Sequence, residues 1–189
     1  MLKETNHRVK NSLQIVSSIL QLQLANIKNA EAADAMRNAA ARVMAVAAVH
    51  ERLYTGADIR VVSLDVLLGD LCQDIGRALG SPTGIQVDSE PIDVPTEMAI
   101  PLALIVNELV TNVIKHVGAP CRVVMRMGSE NKLTLSVLDS GQGPSQAKPP
   151  VGLGSRLVEA FAKQLGARIA TNRRIDGYVV ELTVPIYLR

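Results

Sequence analysis

Four groups of residues have types and spacings that could do chemistry. The first is His7-Arg8-Val9-Lys10-Asn11-Ser12-Leu13-Gln14, where a histidine, two cations and two amides crowd one short stretch. Imidazole has the side-chain pKa nearest neutrality, so neutral His7 can act as a nucleophile at cell pH and accept a phosphoryl group. The second is Glu108, Asn112, Lys115 and His116, spaced i, i+4, i+7 and i+8 within an apolar run, so that they share one helical face. An acid, an amide and a lysine isolated on a buried helix are costly unless they meet something polar. Glu and Asn oxygens suit a hard cation such as Mg2+, and Lys suits phosphate. An ordinary solvent-facing stripe explains the same spacing equally well. The third is Asp139-Ser140-Gly141-Gln142-Gly143, directly after an apolar strand pattern. Glycines let backbone approach a ligand closely, and a strand-end carboxylate can accept from an exocyclic amine. The fourth is Gly152-Leu153-Gly154-Ser155, which opens a helix whose first amides could hold phosphate. Either loop alone is also an ordinary turn. Their order after the 98–117 helix is the more specific signal.

These groups must be positioned by two kinds of unit. Residues 2–28 read as one helix, with Val9, Leu13, Val16, Leu20, Leu24 and Ile27 recurring at steps of three and four. Asn29 can cap a second helix, with Glu31 in its first turn, running to about Tyr54 and ended by Gly56. Its stripe is Met36, Ala39, Val43, Val46, His50 and Leu53, and its many alanines suit close helix approach. His50 on that stripe reads better as a hydrogen-bonded structural histidine than as a reactive one. A lone antiparallel hairpin cannot bury both stripes, so two copies pairing into a four-helix bundle, a homodimer, are expected.

After Gly56 the texture changes. Short strands are expected at 60–64, 85–88, 122–127, 133–138, 167–171 and 178–184. Helices are expected at 64–79, 98–117 and 153–165, the last stopped by Gly166, while Pro91, Pro95 and Pro101 mark loops. Residues 128–132 form one hairpin loop and Asp176-Gly177 turns another. The fold class is therefore α+β: a helical hairpin over 1–56, then a mixed sheet with helices on one face over 57–189.

Composition excludes several classes. Hydrophobic residues make up 48%, enough for a real core, but aromatics only 2%, so nucleic-acid binding through stacked bases is not expected. A net charge of +2 implies no polyanionic partner, and Arg173-Arg174 read as a solvated strand end. Cys72 and Cys121 form no metal or disulfide pattern, which fits a reducing compartment. No apolar run is expected to reach the ~20 residues of a membrane span. No signal peptide is visible, and a soluble, cytoplasmic chain is expected.

The motifs together resemble the kinase core of a sensor histidine kinase, of the HisKA_2 or HWE-like subfamily. His7-Arg8-Val9-Lys10-Asn11 with Leu13-Gln14 is similar to that family's phosphoacceptor box, and Val49-His50-Glu51-Arg52-Leu53-Tyr54 to its second-helix ending. Asn107-Glu108-Leu109-Val110-Thr111-Asn112 with Lys115-His116 resembles the N box of the GHKL, or Bergerat-type, ATPase fold. Asp139 to Gly143 and Gly152 to Gly154 resemble its two glycine boxes. The similarity covers essentially the whole chain.

The resemblance implies that His7 takes the γ-phosphoryl group of ATP and passes it to an aspartate on a response-regulator receiver domain. Asn112 would ligate Mg2+, with Glu108 as second ligand or base, and Lys115 and His116 near the phosphates. Asp139 would bind the adenine amine, while Gly141, Gly143, Gly152, Leu153 and Gly154 shape the nucleotide loops. Asn11 stands where related kinases orient water to dephosphorylate the regulator. Arg8 stands where many histidine kinases carry an acidic base, so the base must come from elsewhere. The alternatives are a histidine phosphotransfer protein or a regulator phosphatase with a degenerate nucleotide domain.

Three features depart from the family pattern. Only Pro144 to Val151, with three prolines, separate the glycine boxes, which makes a short, stiff lid over the nucleotide. Tyr178 replaces the small hydroxyl residue often found near the adenine. Six residues precede His7 and no sensor domain is visible, so the chain is expected to be an excised core or a module signalled from outside.

Overall fold

A computed structural model describes residues 2–53, 60–79, 84–117, 120–139, 153–174 and 177–186. The chain divides into two compact units, Met1–Ile59 and Arg60–Arg189.

The first unit is a helical hairpin of α1 (Leu2–Leu24) and α2 (Ala30–Leu53). Helix α1 stops four residues before the expected end. The Asn26 and Ile27 amides donate to Gln23 and Leu24 carbonyls, which tightens the chain into a turn. Asn29 caps α2 as its type predicts, its Oδ1 accepting from the Ala32 N–H at 3.0 Å. Ala33, Ala40 and Ala47 recur every seven residues and are all buried, making a small-residue seam that lets α1 pack closely. Across from it Leu13, Leu20 and Leu24 are half-buried and Ser17 is buried. Tyr54 and Gly56, expected at the helix end, lie outside the described residues.

The second unit is α+β. Strand β1 (Val61–Ser63) pairs antiparallel with β3 (Asp93–Pro95). Between them run α3 (Leu64–Ala78) and β2 (Ile85–Ser89). Helix α4 (Thr96–Asn112) leads to β4 (Cys121–Met127) and β5 (Lys132–Asp139), and α5 (Leu153–Gln164) to β6 (Arg168–Arg174) and β7 (Gly177–Pro185). The main sheet has the order β2-β4-β5-β7-β6. Strands β2 and β4 are parallel and every other neighbouring pair is antiparallel, so the sheet is mixed.

Alternation along β4 explains which face is covered. Cys121, Val123 and Met125 point inward and are buried, whereas Arg122 and Arg126 point outward and both pair with Asp88 on β2. Helix α4 lies at the centre of the helical layer, packing against α3 and α5 and touching β5.

Three expectations need correcting here. Pro95 and Pro101 do not mark loops: Pro95 ends β3, and Pro101 is buried within α4. The first four N–H groups of a helix lack intrahelical partners, so a proline just past them removes a single hydrogen bond. The 98–117 helix is not α-helical throughout, because Val113–Val117 form a π turn. Thr96–Lys115 is also long and apolar enough to cross a membrane by length and composition, contrary to the expectation of no such run. Most of it is buried in this unit's own core, with Ala99, Leu102, Ala103, Ile105, Val106 and Val110 shielded from solvent, so it behaves as a core helix.

Candidate functional site

In the hairpin, His7 lies in α1 one turn before Asn11. The Asn11 side chain is exposed. With Gln14, Ile15, Ser18, Ile19 and Leu22 it makes up one open face of α1. This outer face is apolar beyond its first turn: Ile15, Ile19 and Leu22 are 61%, 51% and 71% exposed.

The α+β unit supplies a second set. Glu108 is buried on α4, at 7% exposure, and Asn112 is the exposed last residue of that α-helix one turn further on. These two keep the i, i+4 relation read from the sequence. Beyond them the geometry differs. The Val113 N–H is shared between the Leu109 and Val110 carbonyls, and the wider π turn follows. Wider turns give less rotation per residue, so α-helical spacing no longer fixes where Lys115 lies relative to Glu108. Lys115 is exposed, and the His116 side chain lies outside the description.

Asp139 is the last residue of β5, paired in register with Cys121 on one side and Tyr178 on the other. Its carboxylate is buried at 9% exposure, and the Tyr178 backbone N–H donates to Oδ1 at 3.2 Å. Gly177 explains why the strands can close so tightly there. With φ of 141°, it adopts backbone that L side chains avoid, and a Cβ on it would fall 1.7 Å from the Asp139 carbonyl oxygen. The sequence showed Gly177 only as a turn residue; its Asp-Gly context was the one available signal. Gly154, half-buried, is the second residue of α5, which packs against α4. Gly141, Gly143 and Gly152 lie outside the described residues, as do the short lid and the Leu153 side chain.

The two cysteines meet in this unit. Both thiols are buried and pushed up to about 12, Cys72 by burial and then by Cys121, and Cys121 by burial and then by Asp139. They are protonated at neutral pH and hence poor metal ligands or nucleophiles. Among the described residues no three His, Cys, Asp or Glu side chains gather into a metal site. A cation here would be held by one or two protein oxygens and by its own phosphates and waters. Mg2+ favours that arrangement, and the Glu108–Asn112 pair fits it.

Comparison with known proteins bears on the fold and the family likeness. Residues 4–79 match the HisKA_2 family model, described as histidine kinase. The chain is 27% identical to blue-light-activated histidine kinase 2 of Erythrobacter litoralis, over 98% of this chain and 57% of that protein. It is 29% identical to the sensor histidine kinase PdtaS of Mycobacterium tuberculosis, over 98% of this chain and 39% of that one. The chain thus spans less than two thirds of the length of these relatives. Among solved structures, the histidine kinase domain of the Erythrobacter litoralis EL346 kinase superposes with a TM-score of 0.69 at 25% identity, covering 98% of this chain and 90% of that one. The ATP-binding domain of PrrB from Mycobacterium tuberculosis shares the fold at 20% identity, with a TM-score of 0.54 over 68% of this chain.

Proposed function

We propose that this chain, whose residues 4–79 match the HisKA_2 histidine kinase model, phosphorylates His7 from Mg-ATP and passes the group to a receiver aspartate. In this reading the hairpin, residues 1–56, is the phosphoacceptor and dimerisation module. Residues 57–189 are the nucleotide module. The observation that carries the nucleotide half is Asp139, a buried carboxylate at a strand end before a glycine-rich loop, with Oδ1 already oriented by the Tyr178 N–H.

Asp139 would accept a hydrogen bond from the adenine amine. The glycines at 141, 143, 152 and 154, with Leu153 between the last two, would let backbone follow the nucleotide, and the first amides of α5 favour anionic phosphate. Asn112 and Glu108 would hold Mg2+, which when bound neutralises charge on the phosphates. Lys115 and His116 would lie near the same oxygens. His7, on α1, would attack the γ-phosphorus with a ring-nitrogen lone pair.

The exposed Ile15, Ile19 and Leu22 support pairing of two hairpins into a four-helix bundle, one from each protomer. Exposed Asn11, a turn from His7, also supports a regulator-phosphatase activity in the same protein. The relatives are kinases, which disfavours a bare phosphotransfer protein. A reducing, cytoplasmic setting agrees with the two free thiols.

The test is incubation of the purified chain with radiolabelled Mg-ATP. An acid-labile, base-stable label is expected, and it should vanish in His7→Ala. Equal labelling of His7→Ala, or no label together with no calorimetric Mg-ATP binding, would overturn the reading.

A further inference from the structure

The carboxylate at the end of β5 has a thiol as its cross-strand neighbour. In the sheet register Cys121 on β4 stands directly opposite Asp139. The Cys121 N–H donates to the Gly84 carbonyl at 2.6 Å, on the β2 side of β4. A strand residue aims its N–H and C=O at the same neighbouring strand. Cys121 and Asp139 are therefore a non-hydrogen-bonded pair, the kind that brings opposite side chains closest. Both lie on the helix-covered face, at 1% and 9% exposure. The Asp139 charge reaches the thiol, since after burial it is the second cause that raises the Cys121 pKa. Cys72 on α3 is next in line: after burial, the neighbour that raises its thiol is Cys121.

We propose that Cys121 is a positioning residue for nucleotide selection, its S–H holding the Asp139 carboxylate in the orientation that accepts the adenine 6-amine. The inference rests on the nucleotide reading of Asp139 above. An ionised carboxylate only accepts hydrogen bonds, and its two oxygens offer about four lone-pair sites. The Tyr178 N–H occupies one of them on Oδ1. A thiol that keeps its proton at neutral pH faces a carboxylate with its hydrogen, because sulfur lone pairs would repel those of the oxygens. Cys121 thus steadies Asp139 from β4 while Tyr178 steadies it from β7. The carboxylate then presents an oxygen edge that matches a purine with an amine at C6. A purine with a carbonyl there is rejected, because two acceptors would meet.

The test is calorimetric binding, to the full chain with Mg2+, of ATP and of purine riboside triphosphate, which carries hydrogen in place of the 6-amine. The wild type is expected to prefer ATP. Cys121→Val fills the space without a donor. It should weaken ATP binding about tenfold and leave the analogue within about twofold. Cys121→Ser supplies a hydroxyl donor and should keep the preference. Cys72→Val, a packing control in the same core, should leave the ratio of the two affinities unchanged. Circular dichroism melts check folding, and Cys121→Ala answers the question if Cys121→Val does not fold. A preference for ATP that survives in Cys121→Val, or an equal loss of both nucleotides, would overturn the proposal alone. Equal binding of both nucleotides by the wild type would overturn the adenine reading of Asp139 and this proposal with it.

Discussion

The helical hairpin and the α+β unit bury apolar side chains by opposite means. In the hairpin the buried core is built mainly from alanines together with Val49, and larger residues such as Ile15, Ile19 and Leu22 remain on the outside. In the α+β unit the largest side chains are the most buried: Leu64, Leu68, Leu102, Ile105, Met125, Leu133, Leu135 and Leu182. One unit closes its own core. The other leaves an apolar face exposed, and if two hairpins pair over it, its stability should depend on protein concentration.

Leucine and isoleucine truncations would break this contrast if it were wrong. Leu135→Ala, in the middle of the sheet, should cost about 2–5 kcal/mol through lost burial and a residual cavity. Cys72 and Cys121 supply the readout, since buried, protonated thiols react with an alkylating reagent only when this unit opens. Ile19→Ala should leave thiol protection unchanged and instead weaken self-association in sedimentation experiments. If Ile19→Ala exposed the thiols as strongly as Leu135→Ala, the contrast between the units would be lost.

A smaller loss, about 1–3 kcal/mol, is expected for Gly177→Ala, which forces the β5–β7 end apart around the Asp139 carbonyl. The strain falls where the adenine amine would be read. Calorimetric ATP affinity should therefore drop more than thermal stability does. Equal affinity in the variant would separate Asp139 from nucleotide binding.

Much of this contrast was legible in the sequence, because it rests on local periodicity. Leu13, Leu20 and Leu24 of the α1 stripe, the Asn29 cap and the alternation of Cys121, Val123 and Met125 each involve neighbours along the chain, although Val9 and Val16 of that stripe are exposed and Ser17 is buried. What was not legible depends on distant partners. Strand β3 exists because Val94 meets Val62, and β2 is parallel to β4 because α4 returns the chain across the sheet. Proline spacing at 95 and 101 looked like loop chemistry because its tolerance depends on where the helix begins. At the site, Glu108 and Asn112 kept their spacing. Lys115 and His116 fall in a π turn that no residue type announces. The approach of Gly177 to Asp139 joins residues from two strands and could be seen only once they were paired.

Asn29→Ala probes the hairpin turn itself. Losing the Oδ1 acceptor for the Ala32 N–H should cost about 1 kcal/mol of helix stability. Circular dichroism should show this as a lower melting temperature, with Asn29→Asp retaining the cap and most of the stability. Loss of equal size in both variants would mean that the turn, and not the cap, sets the register of the hairpin.

The smallest effect is expected at Asp88, on the exposed face of the sheet. Hydrogen bonds from Arg126 and then Arg122 hold its carboxyl below the usual carboxylate range. A depressed acid stabilises the folded state above the pKa of the unfolded chain and loses that contribution as pH falls through the folded value. Its window therefore lies below about pH 4. Asp88→Asn should flatten the acid limb of the stability curve slightly and leave neutral stability nearly unchanged, because exposed ion pairs contribute little. High salt should erase the difference between variant and wild type. A large neutral-pH loss in Asp88→Asn would mean that the outer face of the sheet is as organised as the inner one. The unit would then hold its strands together from both sides, and its contrast with the hairpin would rest on more than its aliphatic core.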